Sequence, residues 1–189
     1  MAGGNSLRMG FPKAMLTKER EPVLRLMAEA LKRCGWTLSS VVVATEDLAE
    51  WVHWTLDRPL VIVNDRPERG PISSLRLALN SLPAGAPGLL IWPVDHPVIK
   101  DGTLLSIQRA ANAVNAVVPL FAGRRGHPVW WGRQTFRHLK SRIANGGARK
   151  VLYLPAVNVC EVEVDDPGVL VNIDTSEDAE RYGLQGASE

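Results

Sequence analysis

No stretch of the 189-residue chain approaches the ~20 consecutive apolar residues of a membrane-spanning helix. The first residues also lack the charged-then-apolar order of an export signal. The chain is therefore expected in the cytoplasm, with no membrane partner. Cysteine is scarce: Cys34 and Cys160 lie far apart without CxxC spacing, which argues against a disulfide framework and a cysteine-built zinc site. No HxH or HExxH spacing joins His53, His96, His127 or His138, so histidine offers no metal-ligand pattern. Runs of five or six like charges are missing, and with them the footprint of a nucleic-acid binder.

What is present suits a globular enzyme. A hydrophobic fraction of 46% and a charged fraction of 22% sit near globular averages, and the length fits one α/β domain spanning residues 1–189. The net charge of +2 hides an asymmetry. Residues 1–154 hold 21 Lys and Arg against 11 Asp and Glu, while residues 155–189 hold 1 against 9. A polyphosphate ligand explains a scattered basic excess as well as nucleic acid does.

Hydrophobic periodicity supplies the organisation. Val23, Leu24, Met27, Ala30 and Leu31 follow the helical period after Pro22, and Gly35 closes that helix. Short apolar runs at 41–44, 60–63 and 89–92 read as buried strands. Thr45 is placed to cap a helix over 46–56. Helical stripes follow at Ile72, Leu75, Leu79 and Leu82, and at Leu104, Leu105, Ile107, Ala110, Ala111 and Val114. After a strand over 116–120, residues 122–131 read as a hairpin-like excursion, and residues 134–140 and 148–154 as short helices. Residues 157–164 and 169–173 look like strands, and Thr175 or Ser176 opens a terminal helix. Alternation of strand and helix predicts a mainly parallel sheet, with ligands gathered at the carboxyl ends of its strands.

The densest chemical signal is the run from Ala2 to Lys13, AGGNSLRMGFPK. Gly3, Gly4 and Gly10 let backbone N–H groups approach an anion, and Arg8 and Lys13 add charge and donors for phosphate oxygens. The spacing is neither a Walker A loop nor a GxGxxG fingerprint. Asp95 follows an apolar strand and could cap a turn; Asp174 follows another and could cap the final helix. Together they could supply the hard oxygen ligands that Mg²⁺ prefers. For His127 a substrate contact or a structural hydrogen bond fits better than a metal. Trp51, Trp54, Trp130 and Trp131 read as packing residues.

The ordered set AGGNSLRMGFPK, NDRPERGPISSLRLAL, WPVDHPVI, GRRGHPVWW and NIDTSEDAERY resembles the nucleotidyltransferase family that includes the molybdenum cofactor guanylyl- and cytidylyltransferases. Its opening signature, close to AGGxSxRMGxxK, is matched at Ala2, Gly3, Gly4, Ser6, Arg8, Met9, Gly10 and Lys13. The resemblance implies a Rossmann-like three-layer α/β sandwich whose opening loop, Asn5 included, wraps the nucleoside triphosphate. It implies that Asp95 and Asp174 hold Mg²⁺, with Arg8, Lys13 and Asp95 as the catalytic residues. Asn64, Gly70, Ser73 and Ser74 are implied to line the nucleotide, and Gly126, His127 and Pro128 the acceptor. The implied substrates are CTP or GTP and a phosphorylated, molybdopterin-like acceptor, with transient contact to a molybdoenzyme. In this family a buried strand precedes the glycine loop. Here Met1 takes the last position of that strand, so the fold is expected to lack its usual first strand.

Two rival classes share these features. A sugar-phosphate or polyol-phosphate nucleotidyltransferase would keep the loop and the metal aspartates but differ on the acceptor side. A non-catalytic nucleotide-binding maturation factor would keep only the binding loop, against which the retained Asp95, Asp174 and Lys13 argue.

Overall fold

The structure is a computed structural model and describes residues 9–57, 59–111 and 114–186. The expectations placed on residues 1–8, among them the first strand, lie outside the described residues.

The chain first makes two short strands, β1 (Leu16–Lys18) and β2 (Glu21–Pro22), and then helix α1 (Val23–Arg33). Strand β3 (Val41–Val43), helix α2 (Glu46–Thr55) and strand β4 (Val61–Val63) follow. The Thr45 hydroxyl accepts from the Leu48 amide and caps α2, as its sequence position predicts. Helix α3 (Pro71–Ser81) carries proline in its first turn, where the missing N–H is not needed. Then come β5 (Gly88–Ile91), α4 (Asp101–Ala110), β6 (Ala116–Phe121), β7 (Arg124–Arg125) and β8 (Val129–Gly132). Helix α5 (Phe136–Lys140), strand β9 (Val159–Glu163), helix α6 (Ser176–Arg181) and strand β10 (Leu184–Gly186) complete the order.

The expected α/β architecture is present. β3 and β4 pair in parallel, Val41 opposite Val61. In the larger sheet β6 pairs in parallel with β9, and β8 lies antiparallel between β5 and β6, so β5, β6 and β9 share one direction. The excursion after β6 is thus a structural strand: it turns back through β7 and fills the place between β5 and β6. The two tryptophans obey the strand period of two. Trp131 packs with Ile72, Leu75 and Leu79 of α3 on one face, while Trp130 packs with Ile107 of α4 on the other. Helices on both faces give the three layers.

The sequence pattern missed β1, β2 and β10, which form a separate antiparallel sheet. Each is too short to show an alternation. The segment 169–173, expected as a strand, differs as well. Pro167–Leu170 is a 3₁₀ turn that Asp166 caps through the Gly168 amide, and residues 171–174 form no ladder. Val169 and Ile173 are nonetheless fully buried. Their apolar character reflects burial between two loops, which sequence periodicity cannot distinguish from burial in a sheet.

Candidate active site

That irregular segment builds the site. The Ile173 amide donates to the Asp95 carbonyl at 2.8 Å, and the His127 amide donates to the Val169 carbonyl at 2.9 Å. Residues 169–173 therefore tie the loop after β5 to the loop before β8, and bring Asp95, His127 and Asp174 to one place. Gly126 makes the second contact feasible. A Cβ there would stand 2.3 Å from the Val169 carbonyl oxygen, which no side chain tolerates.

Lys13 and Asp174 are joined directly. Lys13 Nζ lies 2.5 Å from Asp174 Oδ1, and Asn172 Nδ2 donates to Asp174 Oδ2 at 2.7 Å. Capping of α6 falls to Thr175, which forms a reciprocal box with Asp178. Asp174 is thereby released from the capping alternative. Hydrogen bonds accepted from the Thr175 hydroxyl and from the Asp174 and Thr175 amides hold the Asp178 carboxyl below its usual range.

Lys13, Asp95, His96, Gly126 and His127 line a cavity of about 880 Å³, with Gly70, Ser74 and Trp131 on its wall. Among the described residues, four buried side-chain atoms without a hydrogen-bond partner belong to residues of this one cavity: Asp95 Oδ1, His96 Nδ1, Arg125 Nη1 and His127 Nδ1. Buried polar atoms are almost always paired, so such a concentration marks where a ligand or ordered water belongs. The imidazoles of His96 and His127 stand 4.5 Å apart, tilted by 42°. Burial, aided by the neighbouring His96, brings the His127 pKa down to about 4. Burial also lowers that of His96, against the pull of Asp95 and a hydrogen bond to the Val171 backbone. At neutral pH His127 is therefore an uncharged imidazole, offering one donor and one acceptor.

The remaining sequence candidates divide. Ala2, Gly3, Gly4, Asn5, Ser6 and Arg8 lie outside the described residues. Gly10 is an exposed turn residue with a φ of 72°. Asn64 is buried, and its carboxamide binds Ser73 Oγ at 2.8 Å and Ser74 Oγ at 2.9 Å. Asn64 and Ser73 border a neighbouring cleft of about 640 Å³, while Gly70 and Ser74 border the large cavity. Pro128 is buried behind His127 in a cis peptide. The sequence motifs contain His96 and Arg125 without assigning either a site role, and Arg149 lies outside them; all three line the cavity. Adjacency to Asp95 and to the Gly126-His127-Pro128 motif was the only signal available for the first two.

The donor set fits a hard divalent cation. Asp95 offers a buried carboxylate oxygen without a partner, and Asp174 offers a second carboxylate. No cluster of three or more His, Cys, Asp or Glu able to hold a metal occurs among the described residues. Two carboxylates with the remaining positions left to water and phosphate is the arrangement Mg²⁺ favours.

Solved structures share this fold. Rv0371c of Mycobacterium tuberculosis H37Rv superposes with a TM-score of 0.82 at 26% identity, covering 96% of this chain and 94% of that one. Its complex with manganese gives 0.76 at 26% identity, covering 95% and 92%. The molybdopterin-guanine dinucleotide biosynthesis protein A of Archaeoglobus fulgidus gives 0.68 at 19%, covering 95% and 93%. In sequence, the "probable molybdenum cofactor guanylyltransferase" of Methanothermobacter thermautotrophicus is 24% identical over 123 residues. That match spans 63% of this chain and only 61% of the relative's length. The family model described as the MobA-like NTP transferase domain matches residues 1–159, and the chain belongs to that family.

Proposed function

We propose that the chain transfers a nucleoside monophosphate from GTP or CTP to a phosphorylated acceptor, molybdopterin, and releases pyrophosphate. The observation that carries this reading is the unpartnered Asp95 oxygen in the cavity lined by Lys13 and His127, beside the Lys13–Asp174 pair. Family membership and the names of the relatives agree with it. The cation in this reading is Mg²⁺; the manganese complex of Rv0371c supports a divalent site at the same fold.

The chemistry asks little covalent work of the protein. An acceptor phosphate oxygen attacks the α-phosphorus in line, the bond to the β-phosphate oxygen breaks, and pyrophosphate leaves with the electron pair. No general base is required, because a phosphate monoester with a second pKa of about 6 is already mostly dianionic at neutral pH. Catalysis then consists of positioning and charge neutralisation. The glycine loop at residues 2–10 cradles the triphosphate, and Arg8 and Lys13 balance its charge. Asp95 and Asp174 would hold the cation, which would supply charge neutralisation for the phosphate oxygens. Neutral His127, whose backbone N–H donates a hydrogen bond to the Val169 carbonyl, orients the acceptor through its imidazole. The reaction in this reading is cytoplasmic.

Pyrophosphate release measured with four triphosphates, Mg²⁺, molybdopterin and a set of sugar phosphates tests the reading. Release with GTP or CTP that depends on molybdopterin is the expected result. Triphosphate binding with no release for any acceptor overturns it in favour of a binding module.

A further inference from the structure

Arg125, within the GRRGHPVWW run, and Arg149, outside every motif, both line the cavity and converge on the Tyr153 ring. Arg125, on β7, donates from Nε to Glu161 Oε1 at 2.5 Å, and its buried Nη1 has no partner among the described residues. Arg149 lies in the 3₁₀ turn Ala148–Tyr153 and donates Nε to the Tyr153 hydroxyl at 3.3 Å. The two guanidinium carbons stand 5.4 and 6.0 Å from the centre of the Tyr153 ring. Tyr153 is 62% exposed, so the ring is a platform for cations and not a core residue.

Bringing two guanidinium groups to one ring costs repulsion, and Glu161 offsets only one of the charges. Arg149 has no ion-pair partner among the described residues. Arg125 and Arg149 both line the cavity, and of the two only Arg125 has an ion-pair partner among the described residues. A buried guanidinium N–H without an acceptor is costly unless a ligand or water accepts from it. The guanidinium fork matches the paired oxygens of phosphate and carboxylate. Glu161 occupies the Nε arm of Arg125, which leaves the Nη arm for a ligand. Arg125 also precedes Gly126-His127 directly, on the side of the cavity read as the acceptor's.

The geometry points to Arg125 and Arg149 as an anion clamp, joined through Tyr153, that holds the phosphate monoester of the acceptor substrate. Calling that anion the acceptor's rests on the transfer reading above; the clamp itself rests on the arginines.

Phenyl phosphate is a suitable probe, with phenol as its uncharged control. Calorimetric titration of the full chain without metal is expected to show binding of phenyl phosphate and none of phenol. R149Q and R125Q should each weaken that binding at least tenfold, R149K by less, while triphosphate affinity stays within twofold. In turnover, R149Q should raise the acceptor KM at least tenfold with kcat at saturating acceptor little changed. R125Q also strips Glu161 of its partner, so R149Q, on an exposed turn, carries the decision. A wild-type protein that ignores phenyl phosphate, or an R149Q variant that binds it as tightly, overturns the clamp. The two ideas fail separately. Arginine-dependent binding of phenyl phosphate in a protein inert towards every acceptor keeps the clamp and sinks the transfer reading. Pyrophosphate release with an unchanged acceptor KM in R149Q does the reverse.

Discussion

Lys13 Nζ stands 2.5 Å from Asp174 Oδ1, joining side chains 161 positions apart in the chain. With Asp174 44% exposed, this pair should contribute less than about 1 kcal/mol to stability. Its value lies in placing a cation and a carboxylate together where a triphosphate would be handled. Lys13→Ala and Asp174→Ala are therefore expected to shift the urea midpoint little and to lower kcat/KM by 10²-fold or more, an order of magnitude in keeping with lost transition-state charge stabilisation. Parallel denaturation and pyrophosphate-release measurements check both halves. A large loss of stability with retained activity would make the pair structural.

Asp95→Ala should abolish transfer while leaving the fold intact, because Asp95 Oδ1 accepts from no donor among the described residues. Chelation of divalent cations should silence the wild type in the same way. Mn²⁺ binding followed by paramagnetic resonance gives a readout independent of turnover. Wild-type-like turnover by the purified variant would remove Asp95 from the metal assignment.

The buried His127 links stability to pH. Its folded pKa of about 4 lies below the usual 6.5, so the unfolded chain binds the extra proton first. The contribution of the neutral imidazole is complete above pH 6.5 and is lost as pH falls from 6.5 to about 4. It is on the order of 3 kcal/mol, from a shift of about 2.5 pKa units at about 1.36 kcal/mol each. Urea titrations at pH 7 and pH 4.5 should show a smaller decline for His127→Gln than for the wild type. Equal declines would mean that His127 titrates normally.

Gly126→Ala tests the seam beneath the acceptor side. The added Cβ would meet backbone at Val169, 2.3 Å from its carbonyl oxygen, and the contact cannot relax by rotating a side chain. A loss on the order of 1–3 kcal/mol, typical of overpacking, is expected in denaturation. Displacement of His127 should accompany it, visible as a raised acceptor KM. A variant as stable as the wild type would show that the loop before β8 shifts freely.

The elements with a clear period or punctuation were legible in the chain alone. The α1 stripe, the Thr45 cap, the short β-branched runs and Pro71 at the head of α3 each act within one element, over a few residues. The opening glycine run and the two aspartates that follow apolar runs stand out in the chain alone as residue types suited to polyphosphate and a hard cation. Pairings between distant residues were not legible. Nothing local reveals that Ile173 binds the Asp95 carbonyl, that Val169 receives the His127 amide, or that Arg125 and Arg149 meet at Tyr153. The apolar run 169–173 read as a strand because burial, whichever element supplies it, selects the same side chains. The sequence by itself determined the α/β class and the chemistry available. The tertiary structure decided which of those groups share a cavity, because that depends on loop crossings and close backbone approaches, which leave no periodic trace in the chain.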